Sequence, residues 1–100
     1  MSRATVFENV KDLKTLLKLI NMYRKVLIGG EGCYECEALY AMAESCIDAY
    51  IKLSHDVEDE LIEYLFNTRV WGIPFIAING KIIYDPSLDN LKTLLCLQQT

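Results

Sequence analysis

Apolar positions along this chain fall into two rhythms, one of helices and one of strands. Val10, Leu13, Leu16, Leu17, Ile20 and Tyr23 keep the spacing of a single helical face, with Lys11, Asp12, Lys14 and Lys18 opposite as a solvated surface. Asn9 followed by Asp12 resembles a capping box and predicts where that helix starts. Ahead of it, Ala4 to Phe7 alternates and predicts a short edge strand. Val26-Leu27-Ile28 does not alternate, as expected of a central strand covered on both faces. A second helix repeats Leu39, Met42, Ala43, Cys46 and Ile47, and Ala49 to Leu53 predicts another strand. Asp56 with Asp59 predicts the cap of a third helix through about Asn67, its inner face Val57, Leu61, Tyr64 and Leu65. Two apolar runs joined by Asn79-Gly80, the first led by Ile73-Pro74, predict a hairpin. Asp85 then Pro86 opens a last helix packed by Leu88, Leu91, Leu94 and Leu95. The order is strand, helix, strand, helix, strand, helix, hairpin, helix, which predicts an α/β sheet with helices on both faces.

Composition narrows this picture. A chain of 100 residues is expected to be a single domain, 1–100, that folds on one core. With 52% hydrophobic and 24% charged residues, two prolines and five glycines, no stretch reads as a disordered tail. The net charge of −4 and the scattered Lys and Arg argue against a nucleic-acid footprint. The longest apolar stretch, Leu13 to Tyr23, is broken by Lys14, Lys18 and Asn21 and is too short for a membrane span. Met1-Ser2-Arg3 does not lead into a signal peptide, so the expected location is intracellular, in the cytoplasm.

The candidate chemistry is Cys33-Tyr34-Glu35-Cys36, which follows a strand and a glycine-rich turn and opens a helix. Backbone N–H groups at a helix start favour thiolate over thiol, so Cys33 is expected to be the reactive sulfur. Cys36, one turn on, lies within reach of it. Two classes remain open on these residues. One is a redox dithiol; the other is a binding module whose thiolates hold zinc or an iron–sulfur cluster, which would need ligands beyond these two. Cys46 is expected as a small buried hydrophobe in the core. Cys96, beside Asp89, Lys92 and Thr93, is expected as a partly exposed free thiol. His55 reads as a solvated loop residue.

Taken together, the strand, the C-x-x-C, the helix, the Pro-led hairpin some forty residues later and the last helix resemble the thioredoxin/glutaredoxin superfamily over nearly the whole chain. The closest overall likeness is to small archaeal and viral members whose Pro-led strand ends in Ile-Asn-Gly. The resemblance implies a thioredoxin-like fold with a central mixed sheet of four to five strands and helices on both faces. It also implies that Cys33 attacks a substrate disulfide, that Cys36 resolves the mixed disulfide, and that the Ile73-Pro74 peptide bond is cis. Tyr34, Trp71, Ile73 and Pro74 would receive the partner, a protein disulfide, with a disulfide reductase as the second partner. No cofactor or metal beyond the Cys33–Cys36 couple is expected, and a monomer is expected.

The departures from the superfamily's patterns bear on the subclass. Tyr34-Glu35 is neither Gly-Pro nor Pro-Tyr, and Gly32 and Leu27 stand where thioredoxins keep a Trp and a buried Asp. Glutaredoxins have a basic residue before the motif, where this chain has Gly29-Gly30-Glu31. Only Asp89 offers itself to a glutathione amine, and an acidic approach repels that anion, so glutathione is possible but not favoured. Glu31, Glu35 and Glu37 oppose the helix N-terminus, which keeps the Cys33 thiol near its ordinary range and makes the protein a reductant.

Overall fold

The computed structural model describes residues 4–97; residues 1–3, which entered the expectation about a signal peptide, lie outside the described residues. Strand β1 (Thr5–Val10) leads to helix α1 (Leu13–Met22), strand β2 (Lys25–Gly30) and helix α2 (Tyr34–Ala43). A single 3-10 turn, Glu44–Cys46, then precedes strand β3 (Ala49–Leu53) and helix α3 (Asp59–Asn67). The hairpin β4 (Phe75–Ile78) and β5 (Lys81–Ile83) and helix α4 (Leu88–Leu95) complete the order, which is the one the apolar pattern predicts.

The five strands form one mixed sheet in the order β1-β3-β2-β4-β5, with β1, β3 and β2 parallel and β4 and β5 antiparallel. The unalternating run in β2 is explained by its central position. Val26 and Ile28 face α1 and α3 in one core cluster, whereas Leu27 faces α2 and α4 in the other. On the second face, Leu39 and Ala43 of α2 and Leu91 and Leu95 of α4 are fully buried. Burying such a Leu side chain contributes about 1.5–3 kcal/mol, enough to fix α2 rigidly on the sheet. Asn79 and Gly80 both have positive φ, the conformation a tight hairpin turn requires at its two central positions.

Element boundaries differ from expectation where tertiary pairing overrides the local signal. β1 runs on to Val10 because its backbone pairs with β3 through Leu53, so Val10 is a strand residue and not the first of a helical face. Asp12 itself is the N-cap of α1, its carboxylate accepting the Thr15 N–H at 2.9 Å. That bond holds the Asp12 carboxyl below its usual range. Helix α3 starts after Glu58 without a side-chain cap, while Asp56 bonds Ser54 in the preceding turn. The cap of α4 is Ser87, and Asp85 instead accepts from the Ser87 N–H and the Asn90 amide. Helix α3 closes with Val70 N–H on the Leu65 carbonyl and Arg69 N–H on the Phe66 carbonyl, Arg69 taking the left-handed conformation. This closure sets the direction of the segment that carries Trp71, Ile73 and Pro74.

All four cysteines are paired, Cys33 with Cys36 and Cys46 with Cys96. The second pair corrects two expectations. Helix α2 stops at Ala43, and the 3-10 turn swings Cys46 out of the helical face that would have sunk it in the core. Helix α4 stops at Leu95, so Cys96 leaves that helix's polar side and meets Cys46. Among the described residues, no helix is long and apolar enough to cross a membrane.

A candidate redox site at the N-terminus of helix α2

Three segments distant in sequence meet at the C-terminal end of β2. The first is β2 itself, ending in Gly29 and Gly30. A Cβ built on Gly29 would stand 2.7 Å from Cys36 Cβ and 3.1 Å from Tyr50 Cε1, so only a glycine lets α2 dock this closely. The second is the turn Glu31-Gly32, where Gly32 has φ +72° and reverses the chain into α2.

The third segment arrives through sheet register. Ile28 pairs with Phe75 at the end of the antiparallel ladder, which brings the segment just before β4 to the end of β2. A Cβ on Gly30 would stand 2.6 Å from Ile73 Cδ1, which shows how closely that side chain covers the turn. The Ile73-Pro74 peptide bond is cis, as the resemblance implied.

Within this frame Cys33 is the N-cap of α2, and its sulfur accepts the Cys36 N–H at 3.1 Å. Such a bond, together with the helix N-terminus, lowers the free energy of negative charge on that sulfur. Cys33 is partly exposed, whereas Cys36 is 0% exposed. The motif thus sets an accessible sulfur and a buried one side by side at the helix N-terminus.

The residues expected to receive a partner divide into two groups. Ile73, 36% exposed, and Trp71, 62% exposed, line one apolar groove with Leu53, Val57, Leu61, Ile62, Leu65, Phe66 and Val70. Trp71 leans on Phe66 with ring centroids 5.8 Å apart. Pro74 itself is buried. Tyr34, 89% exposed in the first turn of α2, stands out into solvent and does not line the groove. The α3 side of the groove was not foreseen; the signal was the unusually apolar outer face of that helix, Ile62 and Phe66.

The electrostatics also differ from what neighbours in sequence imply. Glu37 is paired with Lys52 at 3.3 Å, and its carboxylate accepts the Tyr50 hydroxyl at 2.7 Å. Burial first, and the Glu37 carboxylate second, push the Tyr50 hydroxyl well above the ordinary phenol range, so it stays a donor. His55 is exposed as expected, yet its Nε2 lies 4.0 Å from Glu31 Oε1 and its ring lies beside Gly32. Two of the three carboxylates around the motif thus have cationic or ionisable neighbours. Among the described residues, no group of three or more His, Cys, Asp or Glu is arranged to hold a metal ion.

No family model and no curated protein sequence matches this chain. Among solved structures, it is similar to the oxidised thioredoxin of Plasmodium falciparum in solution, with a TM-score of 0.55 and 19% identity. That match covers 89% of this chain and 94% of the thioredoxin. A second structure of thioredoxin from the same organism gives a TM-score of 0.51 and 19% identity over 88% of this chain and 95% of that one. The sheet order, the helices on both faces and the disulfide at the start of α2 all belong to one architecture: this chain has the thioredoxin fold.

Proposed function

We propose that the protein is a thiol–disulfide oxidoreductase that reduces protein disulfides through Cys33 and Cys36. The observation that carries this reading is the pairing of an accessible and a buried sulfur at a helix N-terminus beside an apolar groove. In the reduced protein, the Cys33 thiolate attacks one sulfur of a substrate disulfide. The substrate S–S bond breaks, a mixed disulfide forms, and one substrate thiolate leaves and takes up a proton. Cys36 then loses its proton and attacks the Cys33 sulfur, forming Cys33–Cys36 and releasing the second substrate thiol. A reductase or dithiol returns two electrons and two protons for the next cycle.

Ile73 and Trp71 are proposed to seat the apolar residues flanking the substrate cystine, with the buried Pro74 following Ile73 and the exposed Tyr34 ring on α2 as a separate contact for the partner. Glutathione is not favoured, because Glu31 and Glu35 border the motif and an anionic tripeptide gains nothing there. The proposed working unit is a monomer without bound cofactor or metal, acting on proteins and not on nucleic acid or membranes. Its proposed location is the cytoplasm. The Cys46–Cys96 bond there would put it with the disulfide-rich intracellular proteins of hyperthermophiles.

The test is dithiothreitol-driven reduction of a disulfide-bonded protein, followed for wild type and for Cys33→Ser and Cys36→Ser. Wild type is expected to accelerate it and Cys33→Ser to do nothing, while Cys36→Ser accumulates a mixed disulfide through Cys33. Equal trapping by both variants would overturn the roles, and a stoichiometric thiolate-bound metal in the reduced protein would overturn the redox reading itself.

A further inference from the structure

Helices α1 and α3 pack on the same face of the sheet, yet their outer surfaces carry opposite charge. On α1, Lys14 and Lys18 are exposed and no carboxylate interrupts them. Helix α3 and its cap instead carry Glu58, Asp59, Glu60 and Glu63, all exposed, and no Lys or Arg. Among the described residues these four carboxylates have no ion-pair partner, whereas Glu31 has His55 beside it, Glu37 has Lys52 and Asp56 has Lys11. The acidic surface is thus local to the helix that walls the apolar groove.

Apolar side chains are interleaved with these charges. Asp59 lies three positions before Ile62, and Glu63 three before Phe66, which sets a carboxylate next to each exposed apolar side chain. Ile62 is 40% and Phe66 58% exposed, and both line the groove with Trp71 and Ile73. The Ile73 end of that groove covers Gly30, in the chain just before Cys33. Apart from the Trp71 indole, the lining side chains are all apolar, so the groove lacks the convergent polar groups that orient a small ligand.

Resting on the oxidoreductase reading, we propose that this face selects the substrate: a protein segment whose disulfide is flanked by apolar side chains and then by Lys or Arg. The apolar residues enter the groove, and the cations meet Asp59 and Glu63 beside it, with Glu58 at the head of the helix. Burial of the apolar residues supplies affinity, since the groove offers little else. The unpaired carboxylates steer basic partners to the site and repel acidic ones, whose charges would be set against α3. A segment held in this way has its disulfide at the Ile73 end, beside the turn into α2.

The test uses two synthetic peptides with the same disulfide loop, flanked on each side by Leu and then by either a pair of Lys or a pair of Glu. Protein reduced with dithiothreitol and freed of it is mixed with each peptide, and the peptide thiols formed are counted after an acid quench. Each rate is divided by that peptide's rate with dithiothreitol alone, which removes the peptide's own reactivity. The corrected Lys-to-Glu ratio is expected to be about tenfold at low ionic strength. It should fall toward unity in about 1 M salt, where charges are screened beyond about 3 Å. Asp59→Asn with Glu63→Gln should cut the ratio to about threefold, whereas Glu8→Lys on β1, an equal change in net charge, should leave it within about 1.5-fold of wild type. Exchanging Leu for Ser in the basic peptide should slow its reduction about tenfold, as expected when a buried apolar side chain is lost. A wild-type ratio at or below unity overturns the inference. So does an equal fall in both variants, which would make net charge and not α3 the selector, and so does a Ser peptide as fast as the Leu peptide. Reduction of the small neutral bis(2-hydroxyethyl) disulfide but of neither peptide overturns the inference alone. The oxidoreductase reading fails separately, if wild type reduces none of the three.

Discussion

The disulfide at the N-terminal end of α2 joins cysteines three positions apart, whereas the one beyond its C-terminal end joins cysteines fifty apart. At the first, Cys33 is partly exposed and receives the Cys36 N–H, so negative charge on its sulfur is stabilised. At the second, Cys46 follows the carbonyl end of the same helix, where the field disfavours a thiolate. Cys46 and Cys96, both partly buried, also pack against the cluster that includes Leu39, Leu91 and Leu95, so their bond ties α4 to that core. Position along one helix thus separates a bond suited to exchange from a bond suited to holding α4 in place.

The comparison breaks most decisively at the level of activity. Cys33→Ser is expected to abolish protein disulfide reduction, while the Cys46→Ser, Cys96→Ser double variant, assayed where it is folded, keeps kcat/KM within about twofold, as expected of groups outside the reacting set. Loss of activity in the folded double variant would give the second disulfide a part in turnover.

Stability should reverse the ranking. In the chain-entropy model, a loop of about fifty residues is worth about 4 kcal/mol and the short motif loop about 2 kcal/mol. Denaturant titration of the two double serine variants measures this. A larger loss from Cys33→Ser, Cys36→Ser would end the assignment of Cys46–Cys96 as the staple.

Graded thiol buffers sharpen the comparison further. Cys33–Cys36 should open first, with a potential nearer thioredoxin's value of about −270 mV than the roughly −180 mV of protein disulfide isomerase, because carboxylates border its sulfurs. Cys46–Cys96 should persist below about −300 mV, as structural disulfides do. A motif potential above about −180 mV would mean that His55 and Lys52, which the fold brings near Glu31 and Glu37, neutralise those carboxylates.

The smallest expected contrast lies within the motif. Once that disulfide alone is reduced, Cys33 should alkylate about tenfold faster than Cys36, exposure and thiolate character both favouring it. Quenched iodoacetamide labelling and mass spectrometry read the ratio, and equal rates would show that the burial of Cys36 does not survive reduction.

What the sequence by itself determined was carried by local rules. The apolar periods identified every strand and helix in order, Asn79-Gly80 located the hairpin turn, and Cys33-x-x-Cys36 with Ile73-Pro74 pointed to the site. Each of these depends on backbone preferences or side-chain spacing within a few residues, which the chain displays directly. What only the tertiary structure decided involves partners far apart. Val10 became a strand residue because β3 lay beside it, and Cys46 met Cys96 because α2 ended three residues before the one and α4 immediately before the other. The groove formed because the outer face of α3 lies beside the segment leading to Pro74. Glu37 faces Tyr50 and Lys52 because Gly29 lets α2 settle against β3. Such contacts depend on the packing distance between whole elements, a quantity that no short stretch of sequence encodes.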